Sequence, residues 1–137
     1  MNKPVNFELA KLLKEKGFKN LCLQYYNKNG LHSSSSENGS NTDTDFSVDL
    51  EDLLENWNEK NLTVDGLKVY SAPTISEVVM WLYEKHEIWI VVMPKRKDKV
   101  LFWGGYIDNG KSYGSNFNSP TEAYEAAIEY ALNNLIK

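Results

Sequence analysis

The residues of this chain that could do chemistry are two histidines, one cysteine, one run of basic residues and several carboxylate clusters. His86 stands among Glu84, Lys85 and Glu87, where an imidazole beside carboxylates could act as a general base. Such a base needs a nucleophile or a second proton carrier at a matching spacing, and no serine, cysteine or histidine supplies one. His86 closes a helical pattern and is followed at once by Ile88, so it reads as a cap on that helix's last carbonyls. His32 falls in a turn before a serine run and reads as solvated. Cys22 lies between Leu21 and Leu23 and reads as a buried, inert thiol. One cysteine excludes an internal disulfide, and two scattered histidines do not make a zinc site.

The carboxylates read as solvated helix faces. Glu51, Asp52 and Glu55 recur at helical spacing, as do Glu122, Glu125 and Glu129. Asp43 and Asp45 open no calcium loop, because the glycine and glutamate of that pattern do not follow. Gly104-Gly105 follows a strand but opens no helix, so it is not a phosphate-cradling loop. The chain is therefore expected to be non-enzymatic, with no catalytic, cofactor-binding or metal-binding residues. Two features remain. Lys95, Arg96, Lys97 and Lys99, around Asp98, are candidate phosphate contacts, although a charged hairpin tip that guards a sticky strand is the favoured reading. Trp89, Trp103 and Tyr113 are candidate partner-surface residues, since strand alternation puts aromatics where one helix layer would not cover them.

These residues need elements to position them. A first helix spans Phe7 to Lys16, with Asn6 as N-cap, a stripe of Phe7, Leu9, Ala10, Leu12 and Leu13, and Gly17 just past its end. A strand follows from Leu21 to Tyr26, then an Asn29-Gly30 turn. Residues 33–47 are too polar to bury area and read as a mobile loop. A short acidic helix is expected from Asp49 to Trp57, and an edge strand from Lys68 to Ser71. The helix Ile75–His86 opens on a capping box at Thr74 and Glu77, with Trp81 and Tyr83 widening its apolar stripe. Ile88 to Met93 is apolar on both faces, which predicts a central strand covered on both sides and ended by Pro94. Val100–Ile107 forms the next strand, where Gly104-Gly105 marks either a bulge or a close approach of another backbone. Asp108-Asn109-Gly110 is a tight turn, and Lys111–Phe117 a polar edge strand. A last helix opens on Ser119, Pro120 and Glu122, a second capping box, and carries alanines that let it lie close to a sheet.

The fold class follows: α+β, a mainly antiparallel sheet of three or four strands with helices packed on it, in one domain whose core is the α-β-β-β-α stretch 73–137. With 137 residues, 42% hydrophobic and 12% aromatic, the chain can bury a core. Its net charge of −4 is unevenly spread: residues 1–32 hold six lysines against two glutamates, and residues 33–66 hold nine acids against Lys60. An acidic middle and a single arginine argue against a dedicated nucleic-acid binder. No leader-like apolar segment or membrane-span length is present, so the expected location is cytoplasmic.

Over residues 74–137 the order helix, three strands, helix resembles the double-stranded-RNA-binding domain, most closely in Ser119-Pro120-Thr121-Glu122-Ala123-Tyr124-Glu125-Ala126-Ala127-Ile128-Glu129-Tyr130-Ala131-Leu132. That family grips phosphates with lysines at the start of its last helix. Pro120, Thr121 and Tyr124 stand there instead, so the resemblance implies the architecture and not the RNA contact. The basic run 95–99 does fall where that family touches a minor groove. Over nearly its whole length the chain also resembles small proteins of Bacteroides genomes and their prophages, through Phe7–Phe18, Ser76–His86 and Ser119–Leu132, which implies a mobile-element setting. The expected role is an accessory protein acting by protein–protein contact. The alternative is a weak duplex-RNA binder.

Overall fold

The computed structural model describes residues 3–33, 54–107 and 111–136, with the backbone alone at Lys111, Ser112, Tyr113 and Ser115. Apart from Ser33, the expected polar loop lies outside the described residues, as do most of the expected acidic helix and the Asp108-Asn109-Gly110 turn. Among the described residues, three helices and antiparallel sheets form an α+β fold. The strands described there make two three-stranded sheets and a two-stranded hairpin rather than one sheet. The chain divides into two compact units, Pro4–Pro73 and the part from Thr74 onward together with the N-terminal residues.

In the first unit, helix α1 (Phe7–Glu15) starts where the Asn6 side-chain oxygen accepts from the Leu9 amide at 2.9 Å. It ends where Gly17 takes φ +91°, a left-handed position that suits glycine. Strand β1 (Gln24–Asn27) pairs on one side with β2 (Gly30–Ser33) and on the other with β5 (Tyr70–Ser71). The strand begins at Gln24 and not at Leu21, because Cys22 instead bridges Glu55 through two backbone hydrogen bonds of 2.9 and 3.1 Å. The same bridge replaces the end of the helix expected through Trp57, since it commits the Glu55 amide and carbonyl across to another segment. Trp57 still turns inward: its indole donates to the Cys22 carbonyl at 2.9 Å and its ring lies 4.3 Å from that of Tyr25. Asn58 ties two further segments, donating to the Phe18 carbonyl at 3.0 Å and accepting from the Ser71 amide at 2.8 Å. His32 is not in a turn but in β2, where its ring stacks on Tyr25 at 5.4 Å. Strands β3 (Thr63–Val64) and β4 (Leu67–Lys68) close on Asp65-Gly66 with φ +52° and +78°, the strongest kind of local hairpin signal.

The second unit runs α2 (Ile75–His86), β6 (Ile90–Lys97), β7 (Val100–Ile107), β8 (Lys111–Phe117) and α3 (Pro120–Asn134). At the start of α2 the capping box is closed: the Glu77 amide donates to Thr74 Oγ1 at 3.2 Å and the Thr74 amide donates to Glu77 Oε1 at 3.0 Å. At the start of α3 Ser119 Oγ accepts from the Glu122 amide at 3.2 Å. The Glu122 carboxylate reaches one residue further back, to the Asn118 amide at 3.2 Å, so this second box is not closed on Ser119. The sheet order is β6-β7-β8, antiparallel throughout. Helix α3 lies along all three strands, α2 packs against α3, and Ala123, Ala127 and Ala131 are fully buried. The register of β7 against β8 shifts around Gly105, as a bulge requires, and β8 is an edge strand.

Strand β6 departs from its reading twice. It runs straight through Pro94 to Lys97, and it lies at an edge rather than in the centre. The two facts share one cause. A proline has no N–H to give, which an edge strand tolerates on its unpaired side and a central strand does not.

Candidate interaction surface

The basic run is built on a hairpin. Asp98 and Lys99 alone make its turn, both left-handed at φ +54° and +68°, and the strands pair from Lys97↔Val100 back to Ile90↔Ile107. Residues directly opposite in an antiparallel pair share a face, and successive residues alternate. Ile90, Val92, Pro94 and Arg96 therefore share a face with Ile107, Gly105, Trp103 and Leu101. Ile90 and Ile107 are buried, so this is the face under α3. Val91, Met93, Lys95 and Lys97 share the other face with Tyr106, Gly104, Phe102 and Val100.

That second face is open. Met93 and Val100 are each 51% exposed and Val91 is 37% exposed, while Phe102 and Tyr106 are half-buried among them. Gly104 makes room for Lys95: a β-carbon there would come within 3.2 Å of Lys95 Cε and 3.5 Å of the Tyr106 hydroxyl. The lysine stem crosses this dent and sets its ammonium 5.1 Å from the centre of the Tyr106 ring. The surface is thus an apolar and aromatic row with lysines at its turn end.

The four candidate phosphate contacts are all exposed, but they do not converge. Lys95 and Lys97 stand on the open face, Arg96 on the α3 side and Lys99 in the turn, because strand alternation separates neighbours in sequence. Of the candidate partner residues, Trp89 is 43% exposed. Trp103 shares a face with Gly105 and Ile107, opposite Pro94 and Phe117, and is half-buried. Tyr113 falls in β8, and its side chain lies outside the described ones.

His86 does not cap its helix. Two carbonyls near the end of α2, those of Tyr83 and Leu82, accept from backbone donors, Glu87 N–H and Ile88 N–H, both at 3.1 Å. The His86 ring instead meets Trp81 edge-on at 4.8 Å. Tyr83, expected to widen the buried stripe, is 51% exposed and meets Trp89 edge-on at 5.0 Å. Cys22 is buried, as expected, and its thiol donates to the Asn20 carbonyl at 3.6 Å. Among the described residues no group of three histidine, cysteine or acidic side chains could hold a metal ion, and no helix is long and apolar enough to cross a membrane.

Val91, Met93, Phe102 and Tyr106 were not legible as surface residues, because an unbroken apolar run reads as a strand covered on both sides. Two local signs do point the other way. Pro94 inside the strand marks an edge, and Lys95 and Lys97 continue the parity of Val91 and Met93, which marks that parity as the wet one. Comparison with protein-family models, with curated proteins and with solved structures finds no match for this chain.

Proposed function

We propose that this chain is a non-enzymatic binding module that docks a protein partner on the open face of β6 and β7. The observation that carries the reading is the row Val91, Met93, Val100, Phe102 and Tyr106, exposed or half-buried beside Lys95 and Lys97. Contiguous apolar surface with a polar margin is what a docking site presents, and an aromatic pair at its middle supplies anchor area. The lysines ask for acidic groups at the partner's margin. A second copy of the chain is a poor occupant, since a two-fold pairing of this face brings four lysines into one interface. Stacking of single-stranded bases is also poorly served, because Lys95 already lies over the Tyr106 ring.

The test places a photo-crosslinking amino acid at Met93, with the exposed position Glu129 of α3 as control. The reading expects a discrete protein adduct at 93 and none at 129. The purified partner should then bind in a salt-sensitive way, and Met93→Glu should weaken it by roughly tenfold. Equal adducts at both positions, or a partner indifferent to Met93→Glu, would sink the reading. A second reading, duplex-RNA binding, rests on four exposed basic side chains in one hairpin and on the order α2, β6, β7, β8, α3. It is supported if a duplex of about 20 base pairs binds at low salt and neutralising Lys95, Arg96, Lys97 and Lys99 abolishes it.

A further inference from the structure

A second concavity sits at the far end of α2 and owes nothing to the lysine-bearing end of the sheet. Tyr83, Glu84, Glu87 and Trp89 line a cavity of about 430 Å³. Its two rings stand edge-to-face at 76° with centres 5.0 Å apart. Both are large apolar groups left about half exposed, and both carboxylates are exposed. Glu84 comes from the last turn of α2 and Glu87 from its cap, and both line the cavity. The negative end of the α2 dipole points to the same place.

Each of these terms favours a cation, and they favour a particular shape. The π-faces of tryptophan and tyrosine attract positive charge. Carboxylates reward a cation that carries N–H donors, and a planar fork of donors can engage two of them while stacking on a ring. A quaternary ammonium would use the rings and leave the carboxylates without hydrogen bonds. Glu87 is the left-handed cap of α2, at φ +56°.

The geometry points to a guanidinium site: the cavity of Tyr83, Glu84, Glu87 and Trp89 takes an arginine side chain presented by a partner polypeptide. The inference stands apart from the open-face reading, and either can fail without the other.

The experiment follows the indole N–H signals of the intact chain by NMR while N-acetyl-arginine amide is added at low salt. The Trp89 signal, assigned with Trp89→Phe, should shift saturably in the millimolar range, with the buried Trp57 and Trp81 signals unmoved. The neutral isostere N-acetyl-citrulline amide should leave it in place. Glu84→Gln and Glu87→Gln should each weaken binding roughly two- to fivefold, the range of an exposed ion pair. Unmoved Trp57 and Trp81 signals in those variants show that the fold is kept. A Trp89 signal that does not saturate, that moves equally with citrulline, or that ignores both glutamine variants would overturn the site. Tetramethylammonium binding more tightly than the arginine amide would overturn the guanidinium assignment.

Discussion

At the scale of single residues, charge placement is tuned by what each side chain is pressed against. Lys14, in the last turn of α1, donates to the Val69 carbonyl at 2.9 Å and sits 4.9 Å from the centre of the Tyr70 ring. Burial lowers its pKa below the usual 10.5, and the nearby Lys68 charge lowers it further. The unfolded chain therefore holds this proton more tightly than the folded one. Unfolding takes up protons between the lowered value and 10.5, so this group's contribution to stability rises with pH across that window. Relative to Lys14→Met, the wild-type urea midpoint should improve as pH is raised from neutral toward 10.5. A constant gap between the two proteins would contradict the placement. Residue types made part of this legible: Asn6, Gly17, Thr74 and Glu77 do locally what their chemistry predicts. The roles of His86 and Trp57 were not legible. A ring contact with Trp81 and a bond to the Cys22 carbonyl depend on where the backbone brings distant or neighbouring groups.

At the scale of elements, the helices follow the sequence more closely than the strands do. A helix closes its hydrogen bonds within itself, so its limits are set by local caps. The closed box at Thr74 and Glu77 is such a limit. Thr74→Ala should cost about 1 kcal/mol in equilibrium unfolding. Since the Thr74 hydroxyl also donates to Glu77 Oε1 at 2.9 Å, each side chain is a partner of the other, and the double variant Thr74→Ala, Glu77→Ala should cost less than the two single losses combined. Strict additivity in a double-mutant cycle would mean that the two bonds do not cooperate. Strands have no such local closure. Cys22 looked like part of a strand by alternation, yet its backbone pairs with Glu55, more than thirty residues away, and β1 starts only at Gln24. Similarly Ile88 to Met93 is uniformly apolar, and whether one face or two are covered depends on where the helices land.

At the scale of the whole molecule, a chain of net charge −4 displays a hairpin with lysines beside exposed apolar side chains. If that face contributes to binding and not to the core, its apolar groups are dispensable for folding. The double substitution Val91→Thr and Met93→Gln should change the unfolding free energy by no more than about 0.5 kcal/mol. Light scattering at high protein concentration should fall with it. A loss of several kcal/mol would show the row to be packed in solution. The sequence by itself determined the α+β class, the ends of α1, α2 and the start of α3, and the burial of Cys22. All of these rest on short-range terms: caps, turn conformations, hydrophobic period. Only the tertiary structure decided that β6 is an edge, that Arg96 and Lys95 part to opposite faces, that Trp103 shares a face with the buried Ile107, and that Tyr83 meets Trp89 beside two carboxylates. Which face of a strand is covered is a property of its neighbours in space, and alternation in sequence states only that there are two faces.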